Sequence, residues 1–245
     1  MREVNRIISD LFVDIKNLIK EGVSTNELDL WAENYIKERD AEPAFKGYRG
    51  FPSTLCVSIN DEIIHGIPSE DKKLKKGDLV SIDVGAFKKE HYADAARTFI
   101  VGSTSFENRR LVNVTRKALD IGIKEAVPGN RIGDIGYVIQ KYVEENGFNV
   151  VREFVGHGIG RKMHLEPAIP NYGEKNKGPL IEKGMCLAIE PMVVAGSYEV
   201  QILDDHWTAV TVDGKNAAHF ENTIFISKEG PEVLTEINEG DYARK

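Results

Sequence analysis

The sequence has few cysteines, no surplus of positive charge and no long apolar run. Only two of its 245 residues are cysteine, Cys56 and Cys186. This is too few for a disulfide framework and is typical of a protein from a reducing cytoplasm. The formal net charge of −7 argues against nucleic-acid binding, because that task usually needs a basic surplus.

Apolar runs that could enter a membrane are also missing. The N-terminus has no uninterrupted apolar segment, and the most apolar later stretch, 185–195, is interrupted by Glu190 and Pro191. We therefore expect neither a signal peptide nor a membrane span. A hydrophobic content of 41% and a charged content of 29% are ordinary for a globular protein with one sizeable core.

Helical and extended patterns alternate along the chain. Apolar residues recur at three- and four-residue steps through the first twenty residues, and Ser24 with Glu27 forms a capping box that begins a second helix. The same reasoning predicts two later helices, at about 107–126 and 132–145. It also predicts two strand-rich regions, at about 54–100 and 149–234. This order predicts an α+β fold with mixed or antiparallel sheet.

The strand-rich region includes a hairpin with two acidic residues. Segment 80–99 reads as two strands joined by a polar tip, and a two-residue turn at Lys88-Lys89 would bring Asp83 opposite Asp94. Opposed residues have Cβ atoms roughly 4.5–5.5 Å apart. Two carboxylates that close in an apolar setting need a proton or a cation between them, and we expect a cation. The preceding segment, 54–64, is predicted as a strand pair that turns at Asn60-Asp61.

A weak internal repeat predicts a second pair of acidic residues on strands. Segment 76–83 aligns with 183–190, and each has a Lys-Gly start, an apolar strand and a final carboxylate. A fainter similarity joins 92–94 to 219–221. The repeat predicts two similar halves whose packing unites four carboxylates: Asp83, Asp94, Glu190 and Glu221.

The four acids lack basic neighbours, since Arg97 alone is close in sequence to any of them. Unpaired burial would cost several kcal/mol per ion. His157 lies in Gly-His-Gly-Ile-Gly and is the further candidate ligand; a dinucleotide-binding role is excluded because Pro167 and Pro170 prevent a long helix after it. Carboxylates with one imidazole suit Mn, Fe, Co or Zn, and bridging carboxylates suit two ions about 3.5–4 Å apart. The predicted chemistry is hydrolysis.

Other histidines follow apolar strands or turns. His65 and His164 are candidates to donate a hydrogen bond to substrate or to a tetrahedral intermediate. We assign no role to His91, His206 and His219, although His219 shares its strand face with Glu221.

Taken together, the motifs resemble those of type I methionine aminopeptidase, a small pita-bread metallopeptidase. The resemblance covers about 44–234 and is carried by the spacing of Asp83 and Asp94, by the glycine-flanked His157, by Ala-Ile-Glu190-Pro-Met and by His-Phe-Glu221-Asn-Thr. It implies a pseudo-twofold α+β fold that forms one catalytic domain over 1–245, with halves of about 1–125 and 126–245. It also implies removal of an N-terminal methionine when the next residue is small, by a water that two divalent ions activate.

The resemblance further implies residue roles. Asp94 and Glu221 would bridge two divalent ions (Co, Mn, Fe or Zn), Asp83 would complete one ion, and His157 with Glu190 the other. Glu190 would also accept a proton from the attacking water, His164 would contact the scissile carbonyl or its oxyanion, and His65 the peptide nitrogen. Positions that match the family's methionine pocket are Tyr48, Phe51, Cys56, His65, Met163 and Trp207.

Some positions depart from the family pattern. Leu165 stands where an acid is usual, Met163 where Phe or Leu is frequent, and Asn222 where His commonly follows the last Glu. The chain also looks trimmed before its first helix. These differences affect pocket shape and inhibitor response, and none removes a predicted ligand.

Two other functions use the same fold. A prolidase or aminopeptidase P would have the same five ligands but usually carries an extra N-terminal domain. A binding module of the same fold would lack the metal ligands, whereas this chain has all five predicted ligands. For the preferred function we expect a cytoplasmic monomer that acts on nascent chains or peptides with a free N-terminal methionine, with neither a nucleic-acid nor a membrane partner. The resemblance allows a transient contact with the ribosome.

Overall fold

The computed structural model describes residues 1–237, and in them helices and antiparallel strands alternate as the sequence predicts. The helices are α1 Arg2–Ile15, α2 Thr25–Lys37, α3 Phe106–Glu125 and α4 Ile132–Glu145, with short 3₁₀ helices at Lys16–Leu18 and Tyr48–Gly50. The strands are β1 Glu42–Pro43, β2 Leu55–Ile59, β3 Glu62–Ile64, β4 Leu79–Lys88, β5 His91–Ile100, β6 Asn149–Val150, β7 Gly156–Gly158, β8 Leu165–Ile169, β9 Cys186–Ile189, β10 Met192–Val194, β11 Val200–Ile202, β12 Ala209–Thr211, β13 Ala217–His219, β14 Asn222–Ile226 and β15 Pro231–Val233. The α+β prediction is confirmed.

The helices begin where their caps are found and bury their apolar faces against the sheets. In α2 the Glu27 N–H donates to the Ser24 hydroxyl at 3.2 Å, and the Ser24 N–H donates to the Glu27 carboxylate at 2.8 Å. This capping box satisfies two backbone N–H donors that a helix end otherwise leaves unpaired. One apolar cluster lies between α1, α2 and the β4–β5 hairpin, and a second lies between α3, α4, β9 and β14. No helix among residues 1–237 is long and apolar enough to cross a membrane.

Four sheets hold these strands. Strand β4 pairs with β1 and β2 along one edge and with β5 along the other. A five-stranded sheet has the order β15-β14-β9-β7-β8, and two small sheets have the orders β13-β10-β6 and β11-β12-β3. Every strand pairing within residues 1–237 is antiparallel.

The turn at Asn60-Asp61 is present, but the prediction that its two strands pair with each other is wrong. β2 pairs with β4, whereas β3 pairs with β12. The Glu62 carboxylate accepts the Ile59 N–H at 2.9 Å. The N–H at the end of β2 is therefore bonded to a side chain, and β3 belongs to another sheet.

The two Lys-Gly segments of the sequence repeat have the same backbone conformation. Gly77 and Gly184 have φ angles of 99° and 97°, a region that glycine enters without strain. Their N–H groups donate to Val101 and Ile226, each at the far end of the partner strand. The repeated sequence thus begins β4 and β9 in the same way.

The hairpin turn lies one residue later than the sequence suggested, so the predicted Lys88-Lys89 turn is wrong. Lys89 and Glu90 form the turn with φ angles of 49° and 61°, and Lys88 pairs with His91. Positive φ at both central residues is what a type I′ hairpin turn requires. The register also places Phe87 opposite Tyr92 with ring centroids 4.7 Å apart, a cross-strand aromatic contact that favours it.

This correction moves the two aspartates without separating them. Asp83 lies opposite Ala96, and Asp94 lies opposite Gly85, so they are diagonal neighbours and not a directly opposed pair. A shift of two residues leaves every side chain on its original face, because side chains alternate with period two. The carboxylates therefore still share one face of the hairpin.

Candidate metal centre

The second pair of acids comes from the β9–β14 ladder. Glu190 follows β9 and Glu221 precedes β14. Asn222 pairs with Ile189, so one further step of the same register sets Glu190 opposite Glu221. Glu221 is also tied to the first hairpin, because its N–H donates to the Ala96 carbonyl at 2.9 Å. The predicted union of the two acidic pairs is present.

Hydrogen bonds fix the orientation of the β4–β5 hairpin relative to the paired strands β9 and β14. The Thr223 hydroxyl donates to the Asp94 carbonyl at 2.8 Å. Buried Arg97 donates to the carbonyls of Ala96, Glu221 and Thr235 and to the amide oxygen of Asn222. The guanidinium therefore holds backbone in place and does not neutralise a carboxylate of the site through any of these bonds.

His157 enters the acidic cluster from β7, beside Ala188 of β9. Its Nε2 lies 3.9 Å from Asp94 Oδ2 and 3.7 Å from Glu190 Oε1. Its Nδ1 is 3.0 Å from the Gly158 carbonyl oxygen. A proton on Nδ1 donates to that oxygen and leaves the Nε2 lone pair directed at the carboxylates, as a metal ligand requires.

The flanking glycines permit this close strand packing. A Cβ on Gly156 would lie 2.3 Å from the Ala188 carbonyl oxygen, and one on Gly158 would lie 2.4 Å from that of Glu166. Both contacts are with backbone, which cannot move aside. Any larger residue would push β7, and His157 with it, away from its neighbours.

The donor set fits a divalent metal. One ligand atom from each of Asp94, His157 and Glu221 lies within 4.8 Å of the other two. Among residues 1–237, Asp83, Asp94 and Glu221 each have a buried carboxylate oxygen without a hydrogen-bond partner. Buried polar atoms are rarely left unpaired without a cause such as an ion.

The pKa values of the site residues also favour a bound cation. Burial raises the pKa of Asp83 to about 7, and burial together with neighbouring carboxylates raises the pKa of Asp94, Glu190 and Glu221 well above the usual range. Burial lowers the pKa of His157 to about 4. The protein alone thus disfavours the ionised carboxylates, while a bound cation would restore them; a neutral imidazole is already in the form that binds a metal.

The four acids line a cavity of about 160 Å³, close to the ~150 Å³ that admits a benzene-sized ligand. All seven predicted substrate-binding residues line it: Tyr48, Phe51, Cys56, His65, Met163, His164 and Trp207. Phe51 meets Trp207 edge-on with centroids 5.2 Å apart. The Tyr48 hydroxyl is 2.9 Å from His164 Nδ1, which directs the His164 ring toward that of His157, 4.3 Å away.

The structure adds residues that we did not predict. Phe45, Arg49 and Ile64 also line the cavity. Phe45 fits because residue 85 is glycine: a Cβ there would lie 2.6 Å from the Phe45 ring. The glycine in the strand opposite Asp94 was the available signal for a close approach at this point.

His219 is a further residue that sequence reasoning did not place at the site. It is buried, and its Nε2 lies 3.8 Å from Glu190 Oε2. The signal was its position two residues before Glu221, on the same strand face. His91 and His206, to which we assigned no role, do not line the cavity.

Comparisons with known proteins agree with this geometry. The sequence model of metallopeptidase family M24 matches residues 1–228. Methionine aminopeptidase 1 of Bacillus subtilis (strain 168) is 50% identical over 237 residues, which cover 97% of this chain and 95% of that protein. The crystal structure of methionine aminopeptidase from Thermotoga maritima has a TM-score of 0.95 and 45% identity, and the match covers 96% of this chain and 95% of that one.

A prolidase is more distantly similar. The match to that of Pyrococcus furiosus has a TM-score of 0.79 and 24% identity and covers 98% of this chain but 63% of that one. It supports the fold alone. The comparisons confirm the resemblance carried by the motifs and the fold that it implied.

Proposed function

Because this chain belongs to metallopeptidase family M24, we propose that it is a metal-dependent aminopeptidase that removes an N-terminal methionine when the next residue is small. The observation that carries the proposal is that four buried carboxylates and His157 line one cavity together with aromatic and sulfur-containing side chains. The 50% identity to a curated methionine aminopeptidase over nearly the whole chain supports the substrate. Sulfur and aromatic side chains in the cavity suit a thioether.

Asp94 and Glu221 are proposed to bridge two divalent ions, with Asp83 completing one and His157 and Glu190 the other. Such ions, when bound, supply a Lewis acid and lower the pKa of water. Glu190 lines the cavity beside His157 and is proposed to accept the proton of the attacking water. The identity of the ions, Co, Mn, Fe or Zn, follows from cellular supply as well as from the ligands.

The two cavity histidines have separate proposed tasks. His164 contacts the scissile carbonyl or its oxyanion, and His65 contacts the peptide nitrogen. Burial lowers the pKa of His65 to about 4 and also lowers the pKa of His164. Both side chains are therefore neutral at pH 7, so that His164 can donate a hydrogen bond to the oxyanion and His65 can accept one from the peptide N–H without adding charge.

One assay tests the function against its alternatives. The protein is stripped with a chelator, reloaded with Mn, Co or Fe, and offered Met-Ala-Ser beside an Xaa-Pro peptide. Metal-dependent release of methionine from the first peptide alone is the expected result. Preferred cleavage of the second peptide would assign the chain to the proline-directed enzymes, and absence of metal-dependent turnover would favour a binding module.

We also propose that the chain forms a single catalytic domain of two similar halves, about 1–125 and 126–245, and acts as a cytoplasmic monomer on nascent chains or peptides. The matched conformations of Gly77 and Gly184 support the two halves. Free thiols at Cys56 and Cys186 suit a reducing compartment. A transient ribosome contact would bring the enzyme to its substrate as the chain emerges.

A further inference from the structure

His219 is the last residue of β13, and its backbone is hydrogen-bonded to β5. The Thr98 hydroxyl accepts the His219 N–H and donates to the His219 carbonyl oxygen, each at 2.9 Å. Thr98 in turn is 2.8 Å from the Ser81 hydroxyl. Because Thr98 already donates its proton to His219, Ser81 must be the donor of that bond. The position of the imidazole is therefore set by β4 and β5, which carry Asp83 and Asp94.

The side chain points into the acidic cluster and lacks a partner. His219 is 1% exposed, and its Nε2 has no hydrogen bond within the part of the chain that the structure describes. Among residues 1–237, Glu190 is the one acidic residue with an oxygen within 4.0 Å of this nitrogen. A small movement of either side chain would bring this nitrogen within hydrogen-bonding distance of the Glu190 carboxylate.

Glu190 therefore lies between two imidazoles, one beside each oxygen. Its Oε1 is 3.7 Å from His157 Nε2, and its Oε2 is 3.8 Å from His219 Nε2. The His157 nitrogen presents a lone pair, as argued above. A donor is needed on the opposite side if the Glu190 carboxylate is to keep one oxygen toward a metal and the other fixed.

We propose that His219 is a positioning residue whose Nε2–H donates to Glu190 Oε2 and fixes the carboxylate for metal binding and proton transfer. Ligating carboxylates are commonly held by such outer hydrogen bonds, and loss of one typically weakens metal affinity or activity 10–100-fold. The inference rests on the proposed function, because it assigns Glu190 the role given there. It does not extend to the choice of substrate.

Two substitutions separate the hydrogen bond from packing. His219→Leu keeps similar bulk without a donor, and His219→Gln keeps an N–H donor. His91→Gln at the hairpin tip is the matched control, since the His91 side chain is hydrogen-bonded to the neighbouring Lys89 carbonyl oxygen and does not line the cavity. Each protein is titrated with Mn²⁺ by calorimetry, its metal-free melting temperature is measured, and kcat and KM are determined with Met-Ala-Ser.

For His219→Leu we expect Mn²⁺ affinity and kcat to fall about 10–100-fold with little change in KM. His219→Gln should recover most of both, and His91→Gln should match the wild type. A folded His219→Leu that binds Mn²⁺ like the wild type overturns the inference, as does a Gln variant no better than Leu. Failure of the wild type to release methionine would instead refute the proposed function, and the Mn²⁺ titrations would still judge His219.

If His219→Leu does not fold, a crystal structure of the Mn²⁺-loaded wild type decides the matter. An Nε2–Oε2 distance of about 2.7–3.2 Å supports the hydrogen bond. Direct coordination of the ion by Nε2, or a separation that stays at 3.8 Å, overturns it.

Discussion

Asp83→Asn should stabilise the metal-free protein while it weakens metal binding. Burial raises the pKa of Asp83 from 3.8 to about 7, a difference of about three units. At about 1.4 kcal/mol per unit, ionised Asp83 costs the folded state at most about 4 kcal/mol. An uncharged amide of the same shape removes that cost, and its NH₂ group can donate to the neighbouring carboxylates.

The effect has a definite sign with pH. Between pH 4 and pH 7 the folded protein holds a proton on Asp83 that the unfolded chain releases, so the stability due to this group is lost as the pH rises through that window. Above about pH 7 the loss is complete. The gain from Asp83→Asn should therefore be largest at pH 8 and smaller than about 2 kcal/mol at pH 5.

The assay is urea unfolding of chelator-treated protein at pH 8 and pH 5, followed by circular dichroism. Exposed Asp71 provides the control, because Asp71→Asn should change the free energy of unfolding by less than about 0.5 kcal/mol. On adding Mn²⁺ the difference in the free energy of unfolding at pH 8 should narrow, since wild type gains about 2.7 kcal/mol at 100 times its Kd and the variant gains less. A metal-free variant less stable than wild type at pH 8 would refute the argument that Asp83 is electrostatically strained.

Three further predictions concern the same centre. Asp94→Asn removes a proposed bridging ligand and should abolish turnover in a peptide assay while the protein stays folded. Gly85→Ala places a Cβ 2.6 Å from the Phe45 ring and should raise KM for methionyl peptides and cost about 1–3 kcal/mol of stability by urea unfolding. Arg97→Met leaves the Glu221 carbonyl without its charged donor and should lower stability by about 3 kcal/mol and weaken Mn²⁺ binding by calorimetry.

Each of these has an outcome that contradicts it, and the Gly85 and Arg97 variants each have a control. Near-normal activity of Asp94→Asn would sink the two-ion assignment. Exposed Gly129 has nothing near its Cβ position but a φ of 98°, so its alanine variant strains the backbone away from the cavity. Equal KM values for the Gly85 and Gly129 alanine variants would exclude the Phe45 contact. For Arg97 the comparison is exposed Arg116, and Mn²⁺ binding unaltered by Arg97→Met would show that Glu221 keeps its place without the guanidinium.

The helices and the site residues could be predicted because local chemistry specifies them. The Ser24–Glu27 capping box is present as the sequence indicates, and α4 has the predicted bounds, 132–145. The four proposed carboxylate ligands were found from charges that no neighbouring base could neutralise, and His157 was found from its flanking glycines. The family resemblance assigned their individual roles, and local patterns alone could not have done so.

The hairpin register could not be predicted in the same way. A turn at Lys88-Lys89 and one at Lys89-Glu90 contain similar polar residues, so turn composition does not choose between them. The choice depends on cross-strand contacts such as that of Phe87 with Tyr92. The error did not move the aspartates to the other face, because changing the turn by one residue changes the pairing by two.

His219 shows a different limit. Its strand parity with Glu221 allowed a place near the site, but the contact is with Glu190, which lies 29 positions earlier in the sequence. Only the antiparallel pairing of β10 with β13, which sets Met192 opposite His219, brings the imidazole to that carboxylate. Ladder geometry determines which carboxylate the histidine reaches, so a contact between an imidazole and an acid of the other hairpin arm needs the fold before it can be assigned.

The two acidic pairs differ in geometry. Asp83 and Asp94 are diagonal on their hairpin, whereas Glu190 and Glu221 are set opposite each other by the β9–β14 register. The longer glutamate side chains start from the closer backbone positions and the shorter aspartates from the more distant ones. One ligand atom from each of Asp94, His157 and Glu221 converges within 4.8 Å. This group takes one acid from each pair, the two proposed to bridge, and adds the imidazole that β7 supplies.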